Sequence, residues 1–202
     1  MSKTEVELSF DFLVSKIIWP HFKSRGYKKS NNNFRFYDPS GWGKILNFQK
    51  SIYFNKNFIK FTINTGLYLA EAEQFHCKMQ SGEKFQESMC MVRQRIGHLS
   101  DSKTDLWFDL SEETDKIILY ITVEKDVKDY IIPYLDSVNS RKDILTFFVN
   151  GHKSMYPAAQ IQTLFFNGYK ELAKLQLEEA LKKTDNPHFK ETLNEIKHKF
   201  DN

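Results

Sequence analysis

Six polar side chains carry the chemistry most worth weighing. Asn47, Gln49, Thr62, Asn64, Arg93 and Arg95 sit in stretches whose other positions alternate with apolar residues. Strand side chains repeat every second residue, so Arg93 and Arg95 share a face if their stretch is extended. Two guanidinium forks flanked by amides and a hydroxyl suit a carboxylate or a phosphate group. The competing reading is a cross-strand hydrogen-bond ladder, or a polar sheet face turned to water, and it is the favoured one.

Other constellations are thinner. His76, Cys77, Cys90 and His98 invite a metal reading, but zinc sites use convergent pairs spaced by two to four residues. Adjacent His76 and Cys77 do not readily ligate one ion together, and Cys90 stands alone, so no metal and no cofactor is expected. Gly41-Trp42-Gly43 is too short for a phosphate loop and follows a turn, and no serine lies in a nucleophile elbow. The reading therefore leans away from an enzyme. Phe34, Phe36, Phe48, Phe54, Phe58 and Phe61, with basic residues between them, resemble a stacking platform for single strands. The Gly-aromatic order of an RNA-binding sheet is missing, so these rings are assigned to the core and nucleic acid is disfavoured.

The chain that must position these groups has 202 residues, 41% of them hydrophobic and 15% aromatic, with a formal net charge of +3. A chain this apolar is not disordered, and 8 Gly with 5 Pro exclude low-complexity sequence. The length fits one domain, or one domain with an appendage. No run reaches the roughly 18 apolar residues of a membrane span. The polar start Ser2-Lys3-Thr4-Glu5 lacks the order of a secretory signal, and two cysteines are too few for a disulfide framework. A cytoplasmic protein with reduced thiols is expected. The charge is uneven: residues 1–60 hold 11 Lys+Arg and 4 Asp+Glu, which is +7, and the remainder carries −4. The cations of the first third are scattered, as on a solvated surface, and the sequence pI near 8.7 is below the roughly 9 of a dedicated nucleic-acid domain.

The pattern predicts a leading helix with a capping box at Thr4 and Glu7, a stripe of Val6, Phe10, Leu13 and Ile17, a kink at Pro20 and an end at Gly26. Strands follow at Phe34–Tyr37, Ile45–Phe54 and Phe58–Leu67, with a turn at Asp38-Pro39-Ser40-Gly41 and a hairpin-like connection at Asn55-Lys56-Asn57. In the third strand Ile59, Phe61 and Ile63 form one face and Lys60, Thr62 and Asn64 the other. Met91–Ile96 and Leu106–Phe108 supply two more strands. Glu71–Ser88 is ambiguous, with a short helix around Phe75 and Met79. Lys116–Val123 reads as strand or helix, and the pattern is helical from Glu124 to Val138 with a break at Pro133. Ser140 caps a helix through Val149, Pro157 precedes a long helix over Ala158–Lys183, and Asn186-Pro187 starts a last one. Leu164, Tyr169, Leu172, Ala173, Leu175 and Leu181 form its packing face.

Asn47-Phe48-Gln49-Lys50, Phe61-Thr62-Ile63-Asn64-Thr65-Gly66, Arg93-Gln94-Arg95-Ile96-Gly97 and Trp107 are similar to the successive motifs of a bacterial domain-of-unknown-function family, numbered 4304. Pro20-His21-Phe22 before Gly26-Tyr27 resembles its opening, and the likeness covers residues 5–150. It implies a small α+β cytoplasmic domain and transfers no activity and no catalytic residue. The expected fold is α+β: an antiparallel sheet of about five strands packed by the first helix and later helices over residues 1–150, with a C-terminal helical hairpin over 151–202. The expected function is a non-catalytic binding module with an unidentified protein partner, immunity-type proteins being a fold-level analogy. An enzyme or ligand binder using the polar strand face for an anionic group is second, and a nucleic-acid binder third.

Overall fold

The computed structural model describes residues 3–53, 55 and 57–201. Helix α1 (Glu5–Phe12) opens on the capping box read from the sequence: Thr4 Oγ1 accepts from the Glu7 amide, and the Glu7 carboxylate accepts from the Thr4 amide. The helix then widens into a π turn over Leu13–Ile18 and continues as α2 (Trp19–Lys23). Pro20 has no N–H, and in α geometry its ring would meet the carbonyl four residues back. The wider bond from the Trp19 N–H to the Val14 carbonyl makes room. The extra residue also rotates the buried face. Val6, Phe10 and Leu13 are buried as the spacing predicts, but beyond the π turn Ile18 and Phe22 take over and Ile17 is only partly buried.

Gly26 ends this helix at φ +78°, and β1 (Lys28–Ser30), β2 (Asn33–Asp38), β3 (Trp42–Lys50) and β4 (Phe58–Leu69) follow as an antiparallel meander. The second long strand is thus shifted three residues ahead of the predicted Ile45 start; Phe54 and Lys56 lie outside the described residues. After α3 (Ala70–Cys77) the chain returns as β5 (Val92–Arg95), turns through α4 (Ile96–Leu99) and adds β6 (Phe108–Ser111). Both short strands pair with the edge of β4 opposite β3: β6 with Phe58–Phe61 and β5 with Asn64–Leu67.

One face of this sheet builds the main core. Phe34, Leu46, Phe48, Ile59, Phe61 and Ile63 are buried against α1, α2 and a second bent helix. That helix, α5 (Lys116–Asp126), is helical rather than extended because Asp115 accepts from the Ile117 and Ile118 amides and fixes its first turn. It widens into a π turn over Val127–Ile131 and ends as α6 (Ile132–Asp136), with Pro133 related to this turn as Pro20 is to the first. The two bent helices run side by side in the same direction. Glu5 meets Lys116, Tyr120 Oη donates to the Ser9 carbonyl at 3.0 Å, and Arg25 reaches Asp136 at 3.1 Å. Lys44, 7% exposed, points into the core face, where its Nζ donates to the Leu135 and Val138 carbonyls at 2.9 and 2.8 Å. It thereby caps the end of α6, and burial lowers its pKa.

Ser140 caps α7 (Arg141–Val149) as predicted. The long helix expected over residues 158–183 is two helices, α8 (Pro157–Phe166) and α9 (Lys170–Lys183), broken at Asn167-Gly168-Tyr169 where Gly168 has φ +89°. With α10 (Pro187–Asp201) the C-terminal unit is a three-helix arrangement. Of its predicted packing face, Leu164 and Ala173 are buried, and Leu175 is exposed because the break resets the rotation of α9. Helix α8 is buried without interruption from Ala159 to Phe165, and the main core runs from Val6 to Phe200. No helix among the described residues is long and apolar enough to cross a membrane.

Candidate functional site

The other face of the sheet is divided between a small apolar notch and a polar row. Two glycines make the notch. A Cβ on Gly43 would stand 2.6 Å from the Phe36 carbonyl oxygen and 2.8 Å from the Phe85 ring, and one on Gly66 would stand 2.6 Å from Cys90 Sγ. Their bare backbones let the segment 78–91 lay Phe85 and Cys90 on the strands, against Ile45 and Tyr68. Phe85 stacks on Tyr68 at 4.3 Å with 10° between the planes. The buried Glu73 carboxylate secures the segment by accepting from Tyr68 Oη at 2.5 Å, the Ser81 amide at 2.7 Å and Ser81 Oγ at 2.6 Å. Inside this closure burial pushes the Cys90 thiol pKa well up, so the thiol is held neutral.

Beside the notch the register aligns Asn33, Asn47, Asn64 and Arg95 across four strands. Asn47 Nδ2 donates to Asn33 Oδ1 at 2.9 Å. Asn64, 5% exposed, is used at both ends: its Nδ2 donates to Gln49 Oε1 at 2.7 Å and its Oδ1 accepts from Arg95 Nε at 3.1 Å. Arg95 Nη1 then reaches Asp105 at 2.6 Å, with its guanidinium 5.2 Å from the Trp107 ring centre, and Trp107 Nε1 donates to the same carboxylate at 2.9 Å. The hydrogen bonds from Arg95 and Trp107 hold the Asp105 pKa below the usual carboxylate range.

Gln49, Asn64 and Arg95 therefore join into one chain, while the remaining three candidates go elsewhere. Asn47 pairs with Asn33, and the buried Thr62 hydroxyl donates to the Leu106 carbonyl at 2.7 Å. Arg93 grips Glu87 with Nε and Nη2 at 2.8 and 2.9 Å, and this fork raises its pKa. Glu87, Asp105 and Asn33 were missed by pattern reading, since each approaches from a turn or a strand start without a period of its own, and Trp107 was read only as part of a motif and a strand. A shallow depression of about 260 Å³ lies over Asn64, Glu87, Arg93, Gln94, Arg95 and His98. Arg93 and Arg95 each already face a carboxylate, so an anion in this depression would have to displace Glu87 or Asp105. What the surface offers directly is neutral hydrogen bonding.

The family model described as "Domain of unknown function (DUF4304)" matches residues 18–137, more than half of the chain. The chain belongs to the DUF4304 family. No curated protein and no solved structure matches it. The DUF4304 span holds the glycine notch, the polar row with Asp105 and Trp107, and the bent helix α5–α6; helices α7 to α10 lie beyond it.

Proposed function

We propose that this DUF4304 protein acts as a non-catalytic interaction module whose protein partner docks along α1 and α5. The observation that carries the reading is a second apolar face on these helices. Their first faces already supply Val6, Phe10, Leu119 and Val123 to the core. On the solvent side Leu8 and Phe12 follow one another at a spacing of four on α1, and Ile117 and Ile121 do so on α5, with Ile118 beside them. All five are exposed, Ile117 to 71%. Tyr120 joins the stripes, its ring 5.7 Å from that of Phe12. Folding gives no reason for these positions to be apolar, and soluble proteins seldom leave such contiguous patches open.

One turn beyond Phe12 stands Lys16, in the π turn that continues α1, and one turn beyond Ile121 stands Lys125, which pairs with Asp129 at 2.6 Å. The complementary partner presents an amphipathic segment with an apolar ridge over the isoleucines and a carboxylate towards Lys16. The polar row and the notch then serve to hold the sheet on which the helices rest.

The test compares the tagged wild type with Ile117→Lys/Ile121→Lys in extract of the native host, followed by titration with the purified partner. Both sites are exposed, so the thermal melt stays within about 0.5 kcal/mol. The variant is expected to bind the partner at least about tenfold more weakly. Recovery of the same proteins by both forms, with equal affinities, would overturn the proposal.

A further inference from the structure

We propose that the hollow between the end of α3, the start of α8 and α10 binds a planar, uncharged heteroaromatic ring with an amide-like edge, of the purine-base kind. It goes beyond the docking reading and uses none of its residues. The hollow measures about 300 Å³, and its walls are the rings of Phe75, His76, Tyr156 and Phe189. None of its lining residues is Lys, Arg, Asp or Glu. The rings are held in place before any ligand arrives: His76 and Tyr156 stack at 3.9 Å, Tyr156 Oη donates to the Ser88 carbonyl at 2.6 Å, and Phe75 stacks on Phe166 at 5.5 Å. Aromatic walls without lysine or arginine favour a flat body over a phosphate.

Gln162 gives the hollow its polar recognition. It lines the space and is 7% exposed, yet its amide makes one long bond, from Nε2 to the Ala158 carbonyl of its own helix at 3.3 Å. Among the described residues Oε1 accepts nothing, and one N–H of Nε2 is unused. The Oε1 atom is not among the enclosed polar atoms that lack a partner, so it is open to the hollow, where an incoming donor can meet it. Helix α8 adds donors at the same place. It begins with Pro157 and has no side-chain cap, so the Ala158 and Ala159 amides have no helical partner, and both residues line the hollow. A neighbouring donor and acceptor on one primary amide match the edge of adenine, which presents an amino group beside a ring nitrogen. The stacking walls and this edge act on the same ring: the first holds its plane, the second its rotation.

Adenine, adenosine, adenosine monophosphate and indole are titrated into the intact protein by calorimetry, with amide chemical shifts of residues 156–162 recorded in parallel. Adenine is expected to bind and to move the Ala158, Ala159 and Gln162 resonances. Indole, a ring without the edge, is expected to bind at least about tenfold more weakly, and the monophosphate no more tightly than the nucleoside. Gln162→Met keeps the buried volume and should lose adenine affinity by about tenfold or more while retaining indole. Adenine that leaves those resonances unmoved at millimolar concentration would overturn the inference using wild-type protein alone. Equal binding of adenine by Gln162→Met, folded by its melt, would do the same.

Discussion

Replacing Gly66 by alanine probes the closure of the 78–91 segment directly. The new Cβ would stand 2.6 Å from Cys90 Sγ, 2.7 Å from Cys90 Cβ and 3.0 Å from Ile45 Cγ2, and each of these atoms is fully packed. Overfilling a packed site costs about 1–3 kcal/mol, against a gain of about 0.5–1 kcal/mol for removing a glycine from a strand. Gly66→Ala should therefore destabilise by about 1–2 kcal/mol on balance. Cys90→Gly removes both sulfur and Cβ, and in that background the same alanine should cost little or stabilise. The urea-unfolding cycle of the two single variants and the double variant is expected to show a coupling of about 1–3 kcal/mol. A thiol reagent adds an independent reading: Cys90, inert when buried, should become reactive in Gly66→Ala as the segment is pushed off the sheet. A coupling below about 0.5 kcal/mol, with Cys90 still inert, would refute the notch as the reason for a glycine here.

Tyr27→Phe is expected to stabilise by about 1 kcal/mol in a urea titration, because the buried Tyr27 hydroxyl has no hydrogen-bond partner. Burial raises the pKa of Tyr27, Tyr68 and Tyr134, so their contribution is complete below the unfolded value of about 10 and is lost as pH rises past it. The lowered pKa of Lys44 works the other way, but the raised values of Tyr130, Lys3, Lys116 and Lys125 add to the tyrosines, so the melting temperature should fall above about pH 10, which a pH series of melts checks. Asp115→Ala should cost about 1 kcal/mol by removing the acceptor for two amides of α5. Gly168→Ala meets no atom within 4 Å, so its loss of about 1 kcal/mol would be purely the backbone at φ +89°.

The α+β fold was readable where a local rule and a tertiary role coincide. The Thr4–Glu7 box, the Ser140 cap, the alternation of Ile59, Phe61 and Ile63, and the turn ending at Gly41 each follow from neighbouring residues alone. Features that depend on distant partners were not. The three-residue β1 exists because β2 pairs with it, and the burial of Thr62 and Asn64 follows from Leu106, Gln49 and Arg95 arriving from elsewhere. The π turns before Pro20 and Pro133 show how a helix takes up a proline: the kink expected at Pro20 and the break expected at Pro133 are both absorbed by one wider turn, after which the helix goes on. The break at Gly168 was hidden because apolar residues on both sides keep a helical spacing across it.

The pairing of β4 bears on how the protein behaves when crowded. Its twelve residues are the longest extended run in the sheet, and the edge they would leave free is shared between two four-residue strands, β5 and β6. At the opposite border stands β1, three exposed residues of which two are Lys28 and Lys29. A foreign strand thus finds only short or charged borders to extend, which is how sheets resist edge-to-edge growth. Fibrillar aggregation should therefore wait on the release of β5 or β6 from β4, and the handling limit of the protein is set by the detachment of these two small strands.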